Sequence, residues 1–286
     1  MKTFICTQIK NEQRYLKEWI DYHFNIGIDE IYLFEDYGSK DHSEIVRDYQ
    51  NVHLATLHDY GIKDYHNTTN QQKLISTFLK ECKKNNLCDW LAFIDVDEFI
   101  TFDQGYDLNK IEDEYNDVSA LLMSWKNYGA NGYIDRPEGS LIKNYTKPGV
   151  VAESDLKWAK KSLINISKCD GIKNIHIAKG AVDVNRNPNE SIDLVYEKIW
   201  IRHYFTKSWE DFKERIFERG NMSNNFRTLD NFFKCNPDME YLHKELIYKE
   251  RFRHTKNTMY LSRQYRLISG GNLNTIKQLE NRLRYE

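Results

Sequence analysis

Along the first hundred residues, hydrophobic and polar positions fall into blocks whose period switches in a regular order. The run TFICTQIKN (3–11) mixes β-branched and aromatic residues and predicts a buried first strand. In EQRYLKEWIDYHFNIG, Tyr15, Leu16, Trp19, Ile20, His23 and Phe24 form one helical stripe, with Gly27 as its C-terminal stop. DEIYLFED (29–36) predicts a second strand, closed by the turn YGSKDHS. A helix over HSEIVRDYQ, a third strand over VHLATLHD and an amphipathic helix over TTNQQKLISTFLKECKKN lead into a fourth strand, WLAFIDVDEFI (90–100). This β-α-β-α-β-α-β order predicts a parallel, Rossmann-like sheet, in which ligands bind beyond the carboxyl ends of the strands.

From about residue 118 the pattern changes. SALLMSWKNYGANGY predicts a strand and a Gly-rich turn, KKSLINISKCDGIKNIHIAKG two short strands, and KIWIRHYFTKS one more. These are expected to be antiparallel or mixed and to supply an acceptor face. Beyond Ser208, WEDFKERIFERG is helical in pattern. The expected organisation is an α/β domain over 1–207 and a mostly helical extension over 208–286. No Pro/Gly-rich linker separates the two, so the extension is expected to pack on the core.

Composition narrows the function. The 286 residues carry a formal net charge of −2, which gives no broad electrostatic reason to expect a nucleic-acid partner. The five cysteines are scattered without a CxxC pair and read as free thiols of a reducing compartment. The N-terminal stretch becomes charged by Lys10, and no window approaches the roughly 18 apolar residues of a spanning helix. A cytoplasmic protein is expected. The basic, aromatic tail YKERFRHTKNTMYLSRQYR would suit peripheral contact with the inner face of a membrane, although a charged helix face gives the same pattern.

Candidate chemistry concentrates in WLAFIDVDEFI. On an extended chain, residues i and i+2 face the same way, so Asp95 and Asp97 can converge on one point. Two adjacent anions repel unless a cation or proton intervenes. Hard divalent ions take oxygen ligands and keep positions open for substrate phosphates, so a DxD after a strand suggests a metal-bridged diphosphate. The competing reading is a strand end whose acids sit in solvent. Glu98 is expected to alternate to the opposite face and to brace the turn.

The segments KNEQRYLKEWIDYHFNIGIDEIYLFEDYGSKDHS, WLAFIDVDEFI, WKNYGANGY, KSLINIS with IHI, and HYFTKSWEDFKERIFERG occur in one order between residues 3 and 220. Together they resemble glycosyltransferase family 92 and its family 2-like relatives, which have the GT-A fold. The resemblance implies a metal-dependent, inverting transfer from a nucleotide-sugar, usually a UDP-sugar, to a glycan or lipid-linked acceptor. Mn²⁺ or Mg²⁺ is the implied ion. Asp95 and Asp97 fall on the DxD pair. His203 is the first candidate for a histidine ligand and His176 its rival, with Lys207 near the diphosphate. The nucleotide would be met by Thr7, Lys10, Asn11 and Glu12 at the exit of the first strand, by Asp36 as acceptor for a base N–H, and by Lys73. Trp125, Tyr128 and Gly129 would shape the acceptor site. The base is open among Glu98, Glu153, Asp155, Asp170 and Asp183, with Glu153 and Asp155 carried forward beside Asp97 and Lys207 as the catalytic group.

Each assignment has a plainer competitor. A lone histidine usually packs or sits in solvent, Asp36 can cap its turn, Ser39 and Asp41 can cap the next helix, and a lysine such as Lys73 on an amphipathic helix is usually a solvated charge. Two other functions compete as well. A non-catalytic sugar-binding module would be expected to have a broken DxD, and a nucleotidyltransferase a Gly-rich phosphate loop in place of CTQIKNEQ. The Lys-, Asn-, Ile- and Tyr-rich composition points to an AT-rich bacterial genome and hence to surface-polysaccharide synthesis.

Overall fold

The computed structural model describes residues 1–62, 68–151, 156–188, 193–215 and 229–242. In its first half, strands β1 (Thr3–Ile9), β2 (Glu30–Glu35), β3 (Val52–Thr56) and β4 (Trp90–Phe93) alternate with helices α1 (Leu16–Asn25), α2 (Ser43–Val46) and α3 (Thr68–Asn85). The second half contributes β5 (Glu98–Phe102), α4 (Leu108–Tyr115), β6 (Ala120–Asn127), α5 (Leu141–Asn144), β7 (Lys160–Asn165), β8 (Ala181–Val182) and β9 (Ile199–His203). Helices α6 (Trp209–Glu214) and α7 (Leu229–Cys235) follow. The described strands form one sheet in the order β3-β2-β1-β4-β7-β6-β9-β5, with β8 beside β6.

Strands β1 to β4 are mutually parallel, as the alternating pattern predicts, whereas β7 runs antiparallel to both β4 and β6. This is the α/β arrangement expected of a GT-A domain, a Rossmann-like half continued by mixed strands. All seven residues of β1 are buried, because it is central in the sheet and covered on both faces. Trp19, Ile20, Ile111 and Tyr115 pack one face, and Leu74, Phe78 and Leu79 of α3 pack the other.

The predicted fourth strand is in fact two. Strand β4 ends at Phe93, residues 94–97 turn, and β5 leaves its neighbour to pair antiparallel with β9. Helix α1 fastens the far edge of β5. The Trp19 indole donates to the Glu98 carbonyl (2.7 Å) and the Tyr22 hydroxyl to the Ile100 carbonyl (2.8 Å). His23 Nδ1 donates to the Trp19 carbonyl (2.8 Å), leaving Nε2 to accept the Ile100 N–H (3.3 Å). Burial pushes His23 down to about 3, so the ring stays neutral.

Two further expectations change. Helix α4 has no counterpart in the blocks read from the sequence, and of the two short strands expected over KKSLINISKCDGIKNIHIAKG only β7 forms, the rest being a loop with an isolated Ile172–Ala178 bridge. In the C-terminal region, α6, α7 and Met239 enclose a small apolar cluster of Trp209, Phe212, Phe232 and Phe233 against Ala130. The basic tail after residue 242 lies outside the described residues, as do residues 216–228.

Candidate active site

The 94–97 turn is the centre of the site. Its closing hydrogen bond runs from the Glu98 N–H to the Asp95 carbonyl (2.9 Å). The two aspartates therefore occupy a turn, not an extended strand, and they face different neighbours. Across the sheet, β7 runs antiparallel beside β4 and brings Lys161 to Asp95, with Nζ 3.2 Å from Oδ2. Glu98 does not point away as alternation suggested. It is fully buried, its Oε2 accepts the Asp95 N–H (2.9 Å), and it lies 3.6 Å from Lys161 Nζ. Burial pushes the Glu98 carboxyl well above the ordinary range against the pull of Lys161. Burial opposes the Lys161 ammonium too, but Asp95 and Glu98 outweigh it and hold the lysine above its ordinary value.

Asp97 has other partners, from the end of β9 and from α6. Arg215 Nη1 lies 2.5 Å and Lys207 Nζ 3.7 Å from its Oδ2, and His203 Nε2 lies 3.9 Å from its Oδ1. Register explains the histidine: β9 lies between β5 and β6, which sets His203 opposite both Glu98 and Asn127. The Asn127 amide donates to the Val150 carbonyl (3.2 Å), so its oxygen accepts His203 Nδ1–H (3.0 Å). In the neutral ring this leaves the lone pair on Nε2, the nitrogen that faces Asp97. Lys207 has φ 55°, a left-handed conformation that a side chain with a Cβ adopts at a cost. It immediately precedes Ser208, whose hydroxyl caps α6 by accepting the Asp211 N–H. Burial pulls the Lys207 ammonium below its ordinary value, with Asp97 opposing.

The loops after β1 and β2 are tied together beside this turn. His42 accepts the Glu12 N–H at Nε2 (3.0 Å) and contacts Glu35 Oε1 through Nδ1 (2.7 Å). Asn11, at φ 53°, accepts the Lys40 N–H, and its own N–H goes to Ser39. Lys10 Nζ reaches Asp36 Oδ2 (3.4 Å), while Asp36 Oδ1 accepts the Tyr37 N–H. A polar cleft runs from Asn11 and Glu12 to Lys207, Asp211 and Arg215.

Other sequence candidates lie elsewhere or have other partners. Thr7 is fully buried, with its hydroxyl directed at the Gln8 carbonyl, and Lys73 is exposed on α3. His176 packs on Trp125 and its Nδ1 contacts the Lys160 carbonyl (3.2 Å); burial pushes it down to about 4. Trp125 lies with its ring centre 4.4 Å from that of His203, and the Tyr128 N–H donates to the His203 carbonyl. Gly129 serves packing: a Cβ there would lie 2.6 Å from Asn236 Oδ1, which accepts the Ala130 N–H. Asp183 accepts the Asn185 and Asn187 N–H groups of its own turn, Asp170 is exposed, and Glu153 and Asp155 lie outside the described residues. The sequence reading missed Lys161, Arg215 and Asn127. A lysine pair opening an apolar run, KKSLIN, was the available signal for Lys161, whereas Arg215 sits in an ordinary charged helix pattern.

The donor set suits a divalent ion in part. Asp95 Oδ1 is buried without a hydrogen-bond partner, and His203 directs Nε2 at Asp97. Among the described residues, however, no three His, Cys, Asp or Glu side chains gather closely enough to hold an ion by themselves. No helix among them is long and apolar enough to cross a membrane, and all five cysteines are free and buried.

Known proteins share the pattern. A glycosyltransferase family 92 protein of Ricinus communis is 25% identical over 221 residues, spanning 75% of this chain and 37% of that protein. One from Oryza sativa is 24% identical over 220 residues, spanning 75% and 35%. The chain thus spans little more than a third of these relatives' length. Among solved structures, HddC of Yersinia pseudotuberculosis aligns with TM-score 0.31 and 12% identity over 48% of this chain and 65% of that one. Glucosyl-3-phosphoglycerate synthase of Mycobacterium tuberculosis, solved with Mn²⁺ and UDP, aligns with TM-score 0.29 and 12% identity over 45% of each. The fold assignment rests on the strand order, not on these alignments. The model of glycosyltransferase family 92 matches residues 4–238, most of the chain, and the chain belongs to that family.

Proposed function

We propose that this chain transfers a sugar from a UDP-sugar to a glycan or glycolipid hydroxyl, with inversion at the anomeric carbon and with Mn²⁺ or Mg²⁺ as cofactor. The observation that carries the reading is the convergence on buried Asp97 of His203, Lys207 and Arg215, beside the cleft that follows β1. Lys207 and Arg215 are preorganised cations where negative charge would grow on a departing diphosphate. Asp95 and Asp97, through the Oδ1 atoms described above, and His203, through Nε2, are the residues that would hold the ion. When bound, it supplies Lewis-acid neutralisation of the leaving group.

Asp36 and Lys10, which pair with each other, are assigned to the nucleotide end, and Trp125 and Tyr128, both against His203, to the acceptor side. An inverting transfer needs a carboxylate to take the acceptor hydroxyl proton in line with the leaving group. Glu153 and Asp155 are retained for that role. The Lys-, Asn-, Ile- and Tyr-rich composition supports a bacterial setting, in which the acceptor would be a lipid-linked glycan at the inner membrane face.

The test is UDP release from a panel of UDP-sugars with and without Mn²⁺. The wild-type chain should release UDP from one donor, and Asp97→Asn should lower the rate by about 10²-fold or more. No release from any donor, together with no UDP-sugar-dependent rise in melting temperature, would sink the reading.

A further inference from the structure

Six charged side chains meet at the 95–98 turn, and they meet in opposite signs. Asp95 and Glu98 share Lys161, which is 1% exposed, at 3.2 and 3.6 Å. Asp97 holds Arg215 at 2.5 Å and Lys207 at 3.7 Å. With all six ionised the cluster is neutral. Glu12, whose charge acts on Lys207 and Arg215, adds one further carboxylate, so that four acids face three cations. The turn therefore lacks the large excess of negative charge with which protein cages hold a bare divalent ion. It nevertheless keeps two buried carboxylate oxygens, Asp95 Oδ1 and Glu98 Oε1, without a hydrogen-bond partner.

We propose that the site refuses a divalent ion on its own and takes it only together with the diphosphate, and that Lys161 is the positioning residue that imposes this. Lys161 anchors Asp95 through Oδ2 and so fixes where Oδ1 points. The same ammonium cancels the charge that would otherwise attract a free ion. A nucleoside diphosphate brings several negative charges of its own, meets Lys207 and Arg215, and makes the cluster strongly anionic. The inference rests on the UDP-sugar reading above. Linkage is reciprocal, so whatever factor UDP gives the ion, the ion gives UDP.

The experiment titrates Mn²⁺ with the full chain by electron paramagnetic resonance, with and without UDP, against a protein-free Mn²⁺–UDP control. UDP binding is measured separately without metal by calorimetry. Wild-type protein should bind UDP without metal and should bind Mn²⁺ at least about tenfold more tightly in its presence, the effect of a few extra charges at contact distance. Lys161→Met should bind Mn²⁺ alone about tenfold more tightly than wild type, and Lys161→Arg should behave as wild type. This sign is the discriminating one, because a side chain that only supported the fold would weaken Mn²⁺ binding when removed. Arg215→Met removes a cation from the other side of the turn and should also strengthen binding of the bare ion, which keeps the test available if Lys161→Met does not fold. Equal Mn²⁺ affinity with and without UDP in a protein that does bind UDP overturns this inference and leaves the transferase reading standing. Unchanged or weaker Mn²⁺ binding in both methionine variants overturns the part played by the cations. Absence of UDP binding under every condition overturns both.

Discussion

Acidification should loosen the anchor of β5 through His23, by an amount that follows from its position. The ring is fully buried between Trp19, Tyr22 and Phe99, and its Nε2 accepts the Ile100 N–H. Burial leaves the charged ring with no water around it, which is why its value falls from 6.5 to about 3, and a proton on Nε2 would also set a donor against the Ile100 N–H. The sign follows from the depressed folded value: stability is complete above the unfolded pKa and is lost as pH falls towards the folded one. Between about pH 7.5 and about pH 5.5 the unfolded chain gains a proton that the folded chain refuses, costing about 1.4 kcal/mol from this residue. His176, held down to about 4, adds a similar loss, but it is common to both proteins compared here. The assay is urea denaturation of wild type and His23→Gln at the two pH values. Glutamine offers an amide oxygen to Ile100 and does not titrate, so the variant should lose about 1.4 kcal/mol less than wild type over the same interval. Parallel pH profiles for the two proteins would refute the reasoning.

Two further substitutions test the supports of the site. Asn127→Ala removes the acceptor that fixes the His203 tautomer, and it should weaken Mn²⁺ binding in the presence of UDP by about 10- to 100-fold, measured by calorimetry. Gly129→Ala places a Cβ 2.6 Å from Asn236 Oδ1 and should displace the Asn236 contact with Ala130. It should cost about 1–3 kcal/mol in urea denaturation and speed proteolysis between residues 229 and 242, with little change in UDP affinity.

Much of the fold was legible because local periodicity and global topology agree. The apolar blocks of β1 to β4, the stripe of α1 and the 18 residues of α3 each follow from their own sequence, and right-handed β-α-β connection leaves few ways to arrange them. Gly27 ends α1 at φ 98°, where only glycine is comfortable. The break inside WLAFIDVDEFI was illegible for the opposite reason. Phe93, Ile94, Val96 and Phe99 are all buried, and Asp95 and Asp97 alternate with them as they would in a strand, so the polar pattern does not mark the turn; the chain leaves the sheet because β9 and α1 supply partners from far away. Gly129 reads like a binding-loop glycine, but the close approach it permits comes from Asn236, 107 positions later.

The sequence by itself determined the parallel half-sheet, the family and the pair Asp95 and Asp97 at its edge, because period, order and motif are local properties of the chain. Only the tertiary structure decided what those acids face. Lys161 reaches Asp95 because β7 runs antiparallel beside β4, and Arg215 reaches Asp97 from the end of α6. His203 meets Asn127 because β9 lies in register between β5 and β6. Charge compensation between residues 63 to 118 positions apart leaves no periodicity in the chain, since it depends on strand direction and register and not on spacing.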